Sequence, residues 1–229
     1  MRDHDTNAPS GTGTLSPAAR AKICGLSTPE TVQAALDGAA GFIGFMIFDR
    51  SPRNVGLDLA AHLARPVRGR AKIVAVTVDP DDELIDRIAA VLAPDLIQLH
   101  GAETPARARL VAERAGIGVI KALPVAEPDD LRGASQYDEI AEHLMFDARP
   151  PPATGRPGGG GVAFDWSILS GRRFARPWFL AGGLTPWNVA EALEVSGAPL
   201  ADVSSGVERG AGLKDPTLIR AFLDAVGRA

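Results

Sequence analysis

Cys24 is the only cysteine among 229 residues, and it closes the apolar run "AKIC" just before a glycine. A buried thiol in apolar surroundings is inert filler, whereas one beside a cation or amide dipoles is a base or nucleophile. Lys22 and Lys121 both lie within apolar runs, where lysine is unusual, and either is a candidate source of that field. Asp147 closes a second apolar run, "HLMFDA". A partly buried carboxyl has its pKa raised by desolvation and can donate a proton near neutral pH, although it can equally serve by bonding loop amides. Of four histidines, only His100 follows an apolar run, "LIQLH"; His4 and His62 look peripheral and His143 begins its run. No papain-like Cys–His pair is evident.

Three glycine-bearing stretches add a different chemistry. They are "GRPGGGG" with Gly160 and Gly161, "AGGLTP" with Gly182 and Gly183, and "DVSSGVE" with Asp202, Ser204, Ser205 and Gly206. Glycine lets backbone N–H groups approach an anion closely, so the set points to a phosphate rather than to three unrelated turns. None of them is a dinucleotide fingerprint or a Walker loop.

These residues need elements to position them. Eight short apolar runs recur along the chain: "AKIC", "GFIGFMIF", "KIVAVTV", "LIQLH", "GVIKAL", "HLMFDA", "WFLAGG" and "LADVSSG". Most are near-continuously apolar, as strands covered on both faces should be. Helical spacing separates them. "TPETVQAALDGAA" offers Thr28 as N-cap and Pro29 in the first turn, and "DPDDELIDRIAAVLA" carries a stripe of Leu84, Ile85, Ile88, Val91 and Leu92. "ETPARARLVAERAG", "TPWNVAEALEVSG" and "DPTLIRAFLDAV" follow the same style. The fifth connection has room for only a short helix, and the sixth begins as a loop and becomes helical late. This beat predicts an α/β fold, a single closed (β/α)₈ TIM barrel over residues 21–229, behind a disordered tail over 1–20. A doubly wound open sheet is the alternative and usually needs fewer strands. In such a barrel the chemistry sits at the C-terminal ends of the strands. Cys24, Arg53 of "DRSPRN", Asp79, His100, Asp147 and the glycine pairs all fall there.

Composition narrows the function classes. The chain is 45% hydrophobic and 23% charged, with a formal net charge of −4 and no basic stripe, which speaks against a nucleic-acid partner. One cysteine excludes an intramolecular disulfide and a multi-cysteine metal site, and a reducing cytoplasm fits best. No stretch reads as a membrane span or signal peptide. No metal or nucleotide cofactor is expected.

The stretches "KICG", "GFIGFMIFDRSPRNV", "VAVTVD", "IQLHGAE", "VIKALPV", "MFDA", "GGGGVAFDW", "LAGGLTPWNV" and "DVSSGVERGAGLKD" run in order from residue 22 to 215. Together they closely resemble the phosphoribosylanthranilate isomerases of tryptophan biosynthesis. The resemblance implies a cofactor-independent Amadori rearrangement of N-(5'-phosphoribosyl)anthranilate to 1-(2-carboxyphenylamino)-1-deoxyribulose 5-phosphate. It implies Cys24 as general base, Asp147 as general acid and Arg53 as the clamp on the anthranilate carboxylate. His100, Asp202, Ser204, Ser205, Gly206 and the glycines at 160, 161, 182 and 183 would complete the substrate site. A monomer or a homodimer is compatible with it. Asp79 departs from the asparagine that the family often carries, which leaves its role open. Rival readings are the histidine-pathway isomerase, which typically has aspartate in place of Cys24, indole-glycerol-phosphate synthase, which would want catalytic lysine and glutamate, and a non-catalytic phosphate-ligand binder. The intact set of Cys24, Asp147 and Arg53 speaks against the last.

Overall fold

A computed structural model describes residues 17–149 and 163–229. Gly160 and Gly161, and residues 1–16 of the expected tail, lie outside the described residues. Pro17–Arg20 forms a 3-10 turn leading directly into the first strand, and the backbone carbonyl of Ala19 packs against Gly41 at a place no Cβ could occupy.

Eight parallel strands close on themselves in sequence order: β1 (Ala21–Cys24), β2 (Phe42–Met46), β3 (Lys72–Thr77), β4 (Leu96–Leu99), β5 (Gly118–Val125), β6 (His143–Ala148), β7 (Trp178–Leu180) and β8 (Leu200–Val203). Helices α1 (Pro29–Asp37), α2 (Leu57–Ala64), α3 (Asp82–Arg87), α4 (Pro105–Ala115), α5 (Val189–Ser196) and α6 (Pro216–Arg228) cover the outside. Among the described residues the fifth and sixth connections hold 3-10 turns, Pro128–Tyr137 and Trp166–Leu169. A short hairpin, β9 (Glu208–Gly210) with β10 (Leu213–Lys214), follows β8. No helix among the described residues is long and apolar enough to cross a membrane.

Local chemistry explains the element ends. Thr28 caps α1, its hydroxyl oxygen accepting from Thr31 N at 3.3 Å, with Pro29 as the first helical residue. Asp81 and Thr104 cap α3 and α4 in the same way. The stripe expected after Asp81 is only partly buried. α3 passes into a π turn over Ile88–Leu92, and this wider turn shifts the angular phase, so that Ile85, Ile88 and Leu92 are buried while Val91 is exposed.

Strand residues alternate between two separate apolar clusters. Ile23, Ile43, Ile73, Ile97, Leu144 and Leu180 meet the helices. Cys24, Val74, Val76, Ile120, Met145 and Phe179 fill the barrel. Lys22, Gln98, Asp147 and Asp202 share the parity of this inner set. The inner end near the strand starts is closed by aromatics, with Phe42 edge-on to both Phe179 and His143. His143 therefore belongs to the floor, and burial pushes its pKa down.

Lys121 has the opposite parity and leaves the interior. Its ammonium lies 2.6 Å from Glu103 Oε2 and donates to the carbonyl of Gly101 at 2.8 Å. Glu103 also accepts from Asp79 N and Gly101 N, and Tyr137 donates to its backbone carbonyl. This cluster fixes the loop after β4 that carries His100. Removing one partner of a buried ion pair leaves the other uncompensated. Lys121→Met is expected to lower the unfolding free energy by about 3–5 kcal/mol, measured as a reduced midpoint in urea.

Candidate active site

Cys24 ends β1 with its side chain in the barrel mouth, only 4% exposed. Gly25 follows with φ +77°, and the space a Cβ would need is filled by the Arg53 side chain, with Cδ at 2.8 Å. The pair "CG" is thus a device for turning the chain out of the strand and passing the Arg53 stem over the turn. One layer below, Lys22 Nζ lies 2.8 Å from Asp202 Oδ1, both groups buried. Burial opposes the charged form of Lys22, but Asp202 and the neighbouring Cys24 outweigh it and hold its pKa above the ordinary value. At Cys24, burial dominates and pushes the thiol pKa up, with Asp202 reinforcing the effect and Lys22 and Lys214 opposing it. The field expected from a lysine is therefore present in Lys22, joined by Lys214, while Lys121 points elsewhere. Asp202, expected to meet substrate, sits below the rim as the partner of Lys22.

Arg53 is held rather than free. Its Nε and Nη2 lie 2.7 and 2.8 Å from the two carboxylate oxygens of Glu208. This leaves the Nη1 side of the guanidinium for a second carboxylate. Glu208 Oε1 also accepts from Lys214 Nζ at 2.7 Å, and Lys214 donates to the carbonyl of Ser204 at 2.8 Å. The Ser204 hydroxyl in turn donates to the backbone carbonyl of Cys24 at 3.3 Å. Burial works to raise the pKa of Glu208, yet Arg53 and Lys214 overcome it and keep the carboxyl below its usual range. Burial pushes the Lys214 pKa down against the pull of Glu208. A hydrogen-bonded chain therefore runs from Arg53 through Glu208, Lys214 and the Ser204 hydroxyl to the backbone carbonyl of Cys24. Sequence reasoning assigned no role to Glu208 or Lys214; the one signal was their place at the two ends of a glycine-containing stretch directly after β8.

Asp147 is the penultimate residue of β6 and is 8% exposed. Its Oδ2 lies 3.0 Å from His100 Nε2, and His100 Nδ1 lies 2.8 Å from the side-chain nitrogen of Gln98. His100 is thus placed against the expected acid. A cavity of about 600 Å³ opens beside this pair, lined by Val78, Asp79, His100, Asp147 and Arg149 among others. β1 and β6 are separated around the barrel by β7 and β8 on one side and by four strands on the other, so Cys24 and Asp147 approach a central ligand from different sides.

The glycine loops after β7 and β8 meet. Gly182 and Gly183 have φ of +86° and +67°, and Gly206 is packed directly on the carbonyl of Leu184. Asn188 holds the first loop by accepting from Thr185 N and donating to the Gly183 carbonyl. No described residue accepts from the backbone N–H groups of Gly182, Gly183, Ser205 or Gly206. Asp79, whose role was open, adopts φ +44° and its Oδ1 accepts from Ala102 N at 2.8 Å. It is a clasp between the loops after β3 and β4, and Gly101 has no room for a Cβ beside it.

Residues 21–225 match the family model described as N-(5'phosphoribosyl)anthranilate (PRA) isomerase. An N-(5'-phosphoribosyl)anthranilate isomerase of Caulobacter vibrioides is 66% identical over 210 residues, covering 91% of this chain and 96% of that protein. The structure of phosphoribosyl anthranilate isomerase from Thermotoga maritima superposes with a TM-score of 0.82 at 33% identity, covering 92% of this chain and 99% of that one. A phosphoribosyl anthranilate isomerase in complex with reduced 1-(o-carboxyphenylamino)-1-deoxyribulose 5-phosphate superposes with a TM-score of 0.79 at 31% identity, covering 92% and 99%. The order of the strands, the residues at their ends and these likenesses agree, and the chain belongs to the N-(5'-phosphoribosyl)anthranilate isomerase family.

Proposed function

We propose that Cys24 and Asp147 are the base and the acid with which this chain converts N-(5'-phosphoribosyl)anthranilate into 1-(2-carboxyphenylamino)-1-deoxyribulose 5-phosphate. The observation that carries this reading is the placement of a buried thiol and a buried carboxyl at the mouths of β1 and β6, with lysines beside the first and an imidazole beside the second.

The proton and electron flow is simple. Asp147 gives its proton to the furanose ring oxygen. The C1′–O bond breaks with its electron pair going to that oxygen, and the anthranilate nitrogen lone pair forms the C1′=N bond of a protonated Schiff base. Cys24 as thiolate removes the C2′ proton. The C–H pair becomes C1′=C2′ and the iminium pair returns to nitrogen. The enolamine then loses the O2′ proton and gains one at C1′ to become the ketone. The Schiff base is itself a cation beside the sulfur, and an opposite charge within a few ångströms favours the thiolate. Lys22 and Lys214 act in the same direction.

Arg53, fastened by Glu208 on one edge, is assigned to the anthranilate carboxylate through the other. The phosphate is assigned to the N–H groups of Gly182, Gly183, Ser205 and Gly206, with Gly160 and Gly161 as further candidates. Asp202 is assigned to the floor of the site through Lys22. The partner this chemistry requires is the small phosphosugar–anthranilate, with no nucleic acid and no membrane, on a monomer or a homodimer. A free thiol at the centre of the site suits the reducing cytoplasm.

Cys24→Ser and Asp147→Asn are each expected to lower kcat by about 10²–10⁴-fold with melting transitions retained, as followed by the decay of substrate fluorescence. Wild-type turnover by either variant would remove that residue from its role. Arg53→Lys keeps the charge but loses the fork, and is expected to raise KM by about tenfold or more with a smaller change in kcat. Burial pushes the Cys24 thiol pKa up, so in the ligand-free protein it ionises at higher pH than an ordinary thiol. Alkylation of the ligand-free protein by iodoacetamide is therefore expected to be slower at pH 7.5 than that of a free thiol, and to accelerate with pH.

A further inference from the structure

The neighbours of the acid carry information that this scheme does not use. The side-chain nitrogen of Gln98 lies 2.8 Å from His100 Nδ1 and 3.3 Å from Met145 Sδ, and Gln98 is fully buried. A thioether sulfur can accept a hydrogen bond and has none to give. The end of the amide that faces Met145 and His100 is therefore the NH₂ end, with one hydrogen for each. Turning it over would set oxygen lone pairs against sulfur lone pairs. The Gln98 oxygen has no partner among the described residues, so nothing there pulls the amide the other way.

A donor 2.8 Å from Nδ1 requires that nitrogen to bear the lone pair. The single ring hydrogen then sits on Nε2 and donates to Asp147 Oδ2 at 3.0 Å. A His100 protonated on both nitrogens would place a hydrogen against the Gln98 NH₂. It would also pair with an ionised Asp147, which has no proton left to give.

We propose that Gln98, oriented by Met145, keeps His100 a neutral Nε2–H imidazole, and that this ring reserves Asp147 Oδ2 so that Oδ1 carries and delivers the proton. The proposal rests on Asp147 being the acid. Oδ1 has no hydrogen-bond partner among the described residues, and it faces the bare side of Gly182, where an added Cβ would lie 2.9 Å away. The Nε2–H bond strengthens as negative charge builds on the carboxylate during proton transfer, so it favours the transition state over the ground state. Gln98 and His100 are positioning residues in this arrangement. Neither needs to touch the substrate.

The test begins with the wild-type protein carrying ¹⁵N-labelled histidine. The chain has four histidines, and His100→Asn identifies the ring signals of the one in question. At pH 7 the expected pattern is a protonated Nε2 and an unprotonated Nδ1. Gln98→Glu replaces the donor by an acceptor. It is expected to leave His100 protonated on both nitrogens and to lower kcat by about 10–100-fold, with KM changed less than about threefold. A wild-type ring protonated on Nδ1 overturns the proposal whatever the variants do. So does a folded Gln98→Glu protein whose ring stays neutral, or one that turns over at the wild-type rate. Asp147→Asn is measured alongside. Wild-type turnover there removes the acid itself, whereas a crippled Asp147→Asn beside a fully active Gln98→Glu removes only the positioning role.

Discussion

The seam between β1 and β8 is the constraint on which the rest of the site depends. Lys22 and Asp202 stand directly opposite one another in its register and form an ion pair inside the barrel. A lysine wholly removed from water is tolerated only with a partner, and breaking such a pair is expensive. A slip of one residue on either strand would turn one of the two charges to the opposite face of the sheet. The pair therefore fastens the closure of the barrel, and it does so one layer beneath Cys24. Gly44 on β2 leaves the space that Lys22 needs, since a Cβ there would approach its ammonium to 3.1 Å.

Charge is distributed unevenly around the mouth. Beside Cys24 it is dense: Lys22 with Asp202, and Arg53 with Glu208 and Lys214, form two ion-pair groups. Asp147 bonds to an imidazole backed by an amide and a thioether, and the charged groups Asp79, Lys121 and Arg149 line the adjoining cavity without bonding to Asp147. Lys121, the one ammonium on β5, is drawn outward to Glu103 instead of reaching Asp147. A thiolate is helped by cations, whereas an acid that must keep its proton is hindered by them. The two sides of the mouth thus differ in the charge they present to a ligand, a contrast on which the base and acid roles proposed above for Cys24 and Asp147 draw.

The loops follow the same economy of backbone. Gly25, Gly101, Gly182 and Gly206 each occupy places where a side chain would meet a neighbouring element. Gly25 makes way for the Arg53 stem, Gly101 for the Asp79 clasp, Gly182 for Ala148 and then the Asp147 carboxyl, and Gly206 for the loop after β7. Close packing at these glycines ties neighbouring loops together, and fixed loops are the condition for orienting a substrate between distant strands.

Much of this was legible in the chain itself. The eight apolar runs, the cap at Thr28, and the positions of Cys24, Asp147 and the Gly182–Gly183 pair depend on local periodicity and turn chemistry, which are written residue by residue. The rest involves partners far apart in sequence. Glu208 reaches Arg53 across 155 positions and Asp202 reaches Lys22 across 180. No spacing rule connects such pairs, because they meet only when the barrel closes. The outward turn of Lys121, the phase shift that exposes Val91, the clasp formed by Asp79 and the order Met145–Gln98–His100–Asp147 were likewise decided by packing. The sequence by itself determined which groups reach the rim. The tertiary structure decided which of them are paired and which are buried, because those properties depend on neighbours that closure alone brings together.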